Sequence, residues 1–275
     1  MDMDGTLLNP WGEISPRSAA ALRRAQAAGV RLAIISGRSP GNCARFALET
    51  GLVSCGIAGL NGTQVWETPN GRELFCSAYP PDVARACWRV LRQADCPVTL
   101  YTRNGQCRSQ WPYPVDALPG YRKRAGGDGP AMDEEPGAIS RGLAQTPLKF
   151  VSLFGQDAAG RGRHAAVRAA LAWMPEVWVT TSAPGVLEVM QLGIGKGQAL
   201  ARLAAHWGIA QREVMALGDY DNDVEMLAWA GLGVAMGNAS PAARRAARIV
   251  TATNAQDGLA QAVEQALNGE LYAGV

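Results

Sequence analysis

Asp2-Met3-Asp4-Gly5-Thr6-Leu7-Leu8 sets two carboxylates two positions apart, followed by a glycine that lets the backbone turn sharply. Side chains two apart lie on one side of a strand, so both acids can stand together where a strand ends. One of them could attack phosphorus and carry an aspartyl-phosphate while the other moves protons. An exposed acidic stretch is the plainer alternative for this segment by itself. Toward the other end, Leu217-Gly218-Asp219-Tyr220-Asp221-Asn222-Asp223 leaves an apolar run and gathers three more acids. Acids this close repel unless a cation sits among them, and oxygen ligands select a hard ion such as Mg²⁺. Capping of the next helix by Asp221 is the structural alternative, and it leaves Asp219 and Asp223 unexplained.

Two further segments suit the same chemistry. In Ile34-Ile35-Ser36-Gly37-Arg38 a hydroxyl and a flexible backbone amide follow an apolar run, and both can hold a phosphoryl oxygen. A simple turn is the competing reading. In Gly193-Ile194-Gly195-Lys196-Gly197 the lysine can neutralise charge on a transferring phosphoryl group. This is not a Walker A loop, because Lys196 is followed by glycine rather than Ser or Thr. With only His164 and His206 in the chain, the sequence argues against a histidine triad or a multi-imidazole metal centre. The cysteines, Cys43, Cys55, Cys76, Cys87, Cys96 and Cys107, lack the spacing of a zinc knuckle or redox pair and read as buried free thiols.

The elements that must position these residues follow an α/β rhythm. The chain has 275 residues, 48% hydrophobic and 18% charged, which is enough apolar material for one large or two modest domains. A net charge of +2 argues against nucleic acid or an acidic membrane surface as main partner. No apolar run approaches the ~18 residues needed to cross a bilayer, and no signal peptide is seen. Ser15-Pro16 opens a helix that Gly29 closes, and Val30 to Ile35 reads as a strand buried on both faces. Ser39-Pro40 opens a second helix, a strand follows near Gly56 to Leu60, and Pro69-Asn70-Gly71 turns a hairpin. The texture changes after Pro80-Pro81, and Trp111 to Thr146 reads as mostly loop. Beyond Gly185 the strand and helix rhythm returns. The organisation expected is a sheet domain from residues 1–78 and 185–275, interrupted by a smaller α/β unit at 79–184.

Taken together, the four segments resemble the motifs of the haloacid dehalogenase-like (HAD) hydrolases, and further the Cof-type phosphatases of their subfamily IIB. Asn61-Gly62-Thr63 is similar to that family's Asn-Gly-Ala segment after the third strand. Gly233-Val234-Ala235-Met236-Gly237-Asn238-Ala239 and Thr253-Asn254-Ala255-Gln256-Asp257-Gly258-Leu259 resemble its C-terminal signatures. The resemblance spans nearly all of the sheet domain; the insert matches in length and rough pattern only. It implies a Rossmann-like three-layer core with a parallel sheet, and an inserted α/β cap that closes over the site. It also implies Mg²⁺-dependent hydrolysis of a phosphate monoester of a small cytoplasmic metabolite: a sugar phosphate, flavin precursor, pyridoxal phosphate or nucleotide. Carried over residue by residue, Asp2 is the nucleophile and Asp4 the general acid/base. Ser36 and Gly37 hold the phosphoryl group and Lys196 stabilises its charge. Asp219 joins Asp2 and the Asp4 carbonyl around Mg²⁺, and Asp223 supports the metal or Lys196. Asn222 touches the phosphate, and Asn61 and Arg38 the substrate.

The chief departure from the pattern is the first strand, because only Met1 precedes Asp2. A buried parallel strand takes about five residues, each worth ~1.5–3 kcal/mol when buried, so the shortfall approaches ~10 kcal/mol. Whole domains are stable by only ~5–15 kcal/mol. The expectation is therefore a natural product that starts upstream, or a weakly folded and poorly active chain. A free amino group beside Asp2 would also make its carboxylate a weaker attacker. Two alternatives stay open: a phosphomutase of the same superfamily, and a catalytically impaired phosphometabolite-binding protein. Trp173, Trp178 and Trp207 read as packing residues, and Arg122-Lys123-Arg124 as a solvated charge run that could instead meet an anionic substrate.

Overall fold

Leu32–Ile35 forms strand β1 with all four residues buried, as its unbroken apolar run requires. The computed structural model describes residues 1–94, 96–108, 132, 133 and 136–271. The Arg122-Lys123-Arg124 run and most of the loop-rich stretch from Trp111 lie outside the described residues. The chain divides into two compact units, Met1–Phe75 with Gly195–Val275, and Cys76–Ile194.

In the first unit, helix α1 (Pro16–Ala27) starts where the Ser15 hydroxyl accepts a hydrogen bond from the Ser18 amide. Its buried positions, Ser18, Ala21, Leu22 and Ala25, fall three and four apart on one face. After β1 come α2 (Pro40–Glu49), β2 (Cys55–Gly59) parallel to β1, and the antiparallel strand β3 (Gln64–Glu67). Strand β4 (Arg72–Cys76) completes this side, across the expected hairpin turn.

The second unit holds α3 (Pro81–Leu91), β5 (Val98–Thr102), β6 (Gly105–Arg108), β7 (Met132–Asp133), α4 (Ala138–Leu143), β8 (Pro147–Leu153), α5 (Ala158–Ala172), β9 (Val177–Ala183) and β10 (Val186–Gln191). Its sheet order is β7-β6-β5-β8-β10-β9. Val98, Leu100, Phe150, Leu187 and Val189 pack with Cys87, Leu91, Val167 and Leu171 from its helices. Strand β10 is the clearest difference from the sequence reading, which returned the chain to the sheet domain at residue 185. Val186–Gln191 pairs antiparallel with both β8 and β9, so the inserted unit continues to Ile194. Trp173 does not pack; it is 88% exposed.

The first unit resumes with α6 (Lys196–Trp207), β11 (Met215–Gly218), α7 (Val224–Trp229), β12 (Leu232–Ala235), α8 (Pro241–Ala246), β13 (Ile249–Val250) and α9 (Gly258–Leu267). Strands β11, β12 and β13 run parallel. Between β1 and β11 lie Met1 to Met3: the Met1 nitrogen donates to Ala33 O and the Ile35 amide to Met1 O, each at 2.9 Å, and the Asp2 amide donates to Leu217 O at 3.0 Å. Three residues thus hold the central place that the sequence reading expected to go unfilled, and Met1 and Met3 are buried. Alternate side chains feed two apolar layers. Ile34, Ile57, Leu217 and Val234 join α1, α2 and α9, while Ala33, Ile35, Ala58 and Ala235 join α6, α7 and α8. The result is the three-layer α/β core expected.

Candidate active site

Apart from Lys196, the candidate residues of the first unit gather at one end of the sheet. The segment after Met3, the turn after β1, the turn after β2 and the turn after β11 all exit at the carboxyl ends of parallel strands, where open α/β sheets place their ligands. Lys196 enters from the first turn of α6.

Lys196 is 1% exposed, and its ammonium donates to Asp2 Oδ1 at 2.6 Å and Asp223 Oδ1 at 2.7 Å. The other Asp223 oxygen accepts from the backbone amides of Asp219 and Tyr220, at 2.9 and 3.0 Å. Asp223 therefore braces the loop that carries Asp219. Close approach here demands Gly218, since a Cβ on it would stand 2.6 Å from Asp223 Cβ. Asp221 does not cap the helix as the sequence reading allowed; it accepts a hydrogen bond from the Ser240 hydroxyl at 2.7 Å.

Carboxylate oxygens of Asp2, Asp219 and Asp223 lie within 4.8 Å of one another, all three buried. With a single ammonium among them, the cluster carries excess negative charge. Burial above all pushes the Asp2 carboxyl up to about 7; Asp223 and Asp4 add to the rise, and Lys196 opposes it. That direction is opposite to the one a neighbouring positive charge would impose. Burial, then Asp2 and Asp223, push Asp219 up to about 8. Burial works against the charge on Lys196, but Asp2 and Asp223 outweigh it and hold the ammonium well above the ordinary lysine range. Among the described residues this is the one cluster of its kind, and its all-oxygen donors suit a hard divalent cation.

Asp219 is also held by residues that the sequence reading left without a role. The Thr6 hydroxyl donates to its Oδ1 at 2.9 Å, and Asn238 Nδ2 reaches its Oδ2 at 3.4 Å. The same Asn238 amide donates to Gly5 O at 2.9 Å, while its Oδ1 accepts from the Asn254 amide at 2.9 Å. Gly5 is in the left-handed region at φ +85, and a Cβ there would collide with the Asp219 carboxylate. Thr6 stood inside the acidic motif and Asn238 inside a C-terminal signature, but neither titrates, so nothing in their chemistry marked them.

Asp4 is not one of the three clustered carboxylates. Its two oxygens accept from Arg38 Nη2 at 2.7 Å and Nε at 2.9 Å. Ser36 is 1% exposed, and its Oγ accepts from the Arg38 amide at 3.3 Å. The strand-end backbone is knitted further by the Asn61 amide to Ser36 O at 2.8 Å and the Leu60 amide to Arg38 O at 2.7 Å. Asn61 adopts φ 57, a conformation asparagine tolerates better than most residues, and its Oδ1 accepts from Asn222 Nδ2 at 3.3 Å. Burial pushes the nearby Cys43 thiol up to about 12, which leaves it as a packing residue.

A sequence model described as haloacid dehalogenase-like hydrolase matches residues 1–124 and 148–263. The 5-amino-6-(5-phospho-D-ribitylamino)uracil phosphatase YcsE of Bacillus subtilis is 31% identical over 96% of this chain and 92% of its own length. The HMP-PP phosphatase of Cronobacter sakazakii is 31% identical over 87% of this chain and 84% of its own. Among solved structures, a haloacid dehalogenase-like hydrolase from Bacteroides thetaiotaomicron superposes with a TM-score of 0.79 at 28% identity, covering 96% of this chain and 97% of that one.

Proposed function

The chain belongs to the haloacid dehalogenase-like hydrolases as a Cof-type phosphatase, and on that premise we propose that it hydrolyses a phosphate monoester of a small metabolite through an aspartyl-phosphate on Asp2, with Mg²⁺ as cofactor. One observation carries the reading: the buried Asp2 carboxylate is gripped by Lys196 at 2.6 Å and clustered with Asp219 within 4.8 Å.

In this reading an Asp2 oxygen attacks phosphorus in line, and the bond from phosphorus to the alcohol oxygen breaks. Asp4 delivers a proton to the departing alcohol. Asp4 then takes a proton from water, the water oxygen attacks the acyl phosphate, and inorganic phosphate leaves as Asp2 is regenerated. Lys196 faces the charge that develops on the phosphoryl oxygens, with Ser36, Gly37 and Asn222 as further donors. Asn61, through its bond to Asn222, holds that amide in place.

The donor set fits a divalent cation. Both Asp223 oxygens are taken, by Lys196 and by two backbone amides. Asp2 and Asp219 are then the side chains that would hold the ion, with the Asp4 carbonyl as the third protein ligand. Bound there, Mg²⁺ would supply Lewis-acid stabilisation of the transferring group.

The name of the Bacillus subtilis relative favours a ribityl phosphate, a flavin precursor, as first candidate substrate. Cys43, Cys55 and Cys87 are buried thiols, which suits a reducing compartment such as the cytoplasm. No helix among the described residues is long and apolar enough to cross a membrane. The test is phosphate release from a panel of ribityl, sugar, pyridoxal and nucleoside phosphates, with Mg²⁺ and with EDTA. Mg²⁺-dependent release from at least one member is expected. Folded protein that releases none, or that loses nothing on Asp2→Asn substitution, would overturn the reading.

A further inference from the structure

Arg38 was expected to touch substrate, yet its guanidinium is committed within its own unit. Nη2 and Nε fork onto the two oxygens of Asp4 at 2.7 and 2.9 Å, and Nη1 donates to Asn42 Oδ1 at 2.9 Å. The guanidinium carbon lies 5.4 Å from the centre of the Phe46 ring. Asn42 and Phe46 are both buried and stand four apart on α2, so one helical face carries the whole support. The Asp4 side chain is 32% exposed, so packing alone leaves its rotamer open. A planar fork that holds both oxygens fixes the carboxylate plane as well as its place, which a lysine's point charge cannot do.

We propose that Arg38 is the positioning residue for Asp4 and not a phosphate ligand, with Asn42 and Phe46 as its rest. The assignment depends on the reading of Asp4 as proton donor to the leaving alcohol. Positioning and substrate binding leave different kinetic signatures. A residue that aims the proton donor matters most when the leaving group needs a proton. A residue that grips the phosphoryl group matters equally for every monoester.

The experiment measures kcat/KM with Mg²⁺ for phenyl phosphate and p-nitrophenyl phosphate, two probes of nearly one shape whose leaving groups differ in basicity. Positioned proton transfer is worth about 10²–10⁴-fold, so Arg38→Ala should cost about 10–100-fold on phenyl phosphate and no more than about threefold on p-nitrophenyl phosphate. Arg38→Lys should not restore the phenyl phosphate rate. Asn42→Ala should shift the ratio of the two probes in the same direction by a smaller factor, and it carries the test should Arg38→Ala fail to fold. An equal loss on both probes, residing in KM, would make Arg38 a substrate ligand and overturn the proposal. The Asp4→Asn variant separates the two levels. If it spares phenyl phosphate, or if wild-type protein releases phosphate from neither probe, the role of Asp4 falls first and the role of Arg38 with it.

Discussion

Lys196 donates to Asp2 across 2.6 Å although 194 positions separate the two in the chain. The two ends of this pair respond in opposite senses to their surroundings. Lys196 faces acids only, and its charged form is favoured despite burial. Asp2 faces Lys196 but also Asp223 and Asp4, and with burial foremost its charged form is disfavoured. The site is therefore short of positive charge when no cation is bound. It holds together because Lys196 bridges two of its acids.

Asp2→Asn should separate catalysis from folding. The nucleophile is lost, so phosphate release should fall by on the order of 10⁴-fold or more, the scale seen when a covalent nucleophile is removed. Burial and neighbouring acids already disfavour the Asp2 charge, so a neutral amide there should leave the melting temperature in EDTA unchanged or higher. A variant that melts well below wild type in EDTA would contradict this charge balance.

The same balance fixes a pH dependence. Asp2 and Asp219 are raised from 3.8 to about 7 and about 8 in the folded, metal-free protein. A raised carboxylate favours folding below its unfolded value, and that contribution is lost as pH climbs through the folded values. Melting temperature in EDTA should accordingly fall between about pH 5 and pH 8.5, and more steeply than in Asp219→Asn. Because the cation competes with these protons, the rise in melting temperature produced by Mg²⁺ should be larger at pH 8.5 than at pH 6. Thermal melts on a pH grid, with EDTA and with Mg²⁺, check both signs.

Lys196→Met should damage fold and activity together. It removes the one ammonium from between two buried carboxylates, and breaking a buried pair from one side costs about 3–5 kcal/mol. Urea unfolding in EDTA should show a loss of that order. Lys196→Arg should not recover activity, because a bulkier planar cation cannot take the place of a compact donor that is 1% exposed. Adding Asp223→Asn to Lys196→Met should recover part of the stability, since one of the stranded charges is then gone.

Legibility in the sequence followed from how each residue is held. Ser36, Asp219 and Asp223 sit where an apolar run breaks into a glycine-bearing turn, and Asp2 and Lys196 stand near glycines of their own, a pattern visible in a linear string. The parallel core followed from its doubly buried strands. Strand β10 was missed because the chain turns tightly at Pro184-Gly185, with Gly185 at φ +75, and such punctuation reads equally well as a boundary or a hairpin. The grip of Arg38 on Asp4 joins residues 34 positions apart on different strand ends, so only the folded sheet brings them together. Asn238 was invisible for another reason. A neutral amide that serves only to orient other groups leaves no charge pattern.

That role of Asn238 gives the last test. Its side-chain nitrogen bonds Gly5 O and Asp219 Oδ2, and its oxygen takes the Asn254 amide, so one side chain ties three segments of the proposed metal site. Thr6 holds the opposite oxygen of Asp219. Partners of this kind orient a ligand without touching the ion, and their loss typically costs about 10–100-fold in metal affinity or activity. Asn238→Ala and Thr6→Val should therefore each raise the Mg²⁺ concentration for half-maximal phosphate release by about 10-fold or more, with kcat at saturating Mg²⁺ falling less. Asn238→Asp should do worse than Asn238→Ala, because it sets a further carboxylate against Asp219, already pushed up to about 8, and donates nothing to Gly5 O. If Asn238→Ala instead lowered kcat at every Mg²⁺ concentration with the half-maximal value unmoved, the amide would be acting on the reacting groups and not on the cation site.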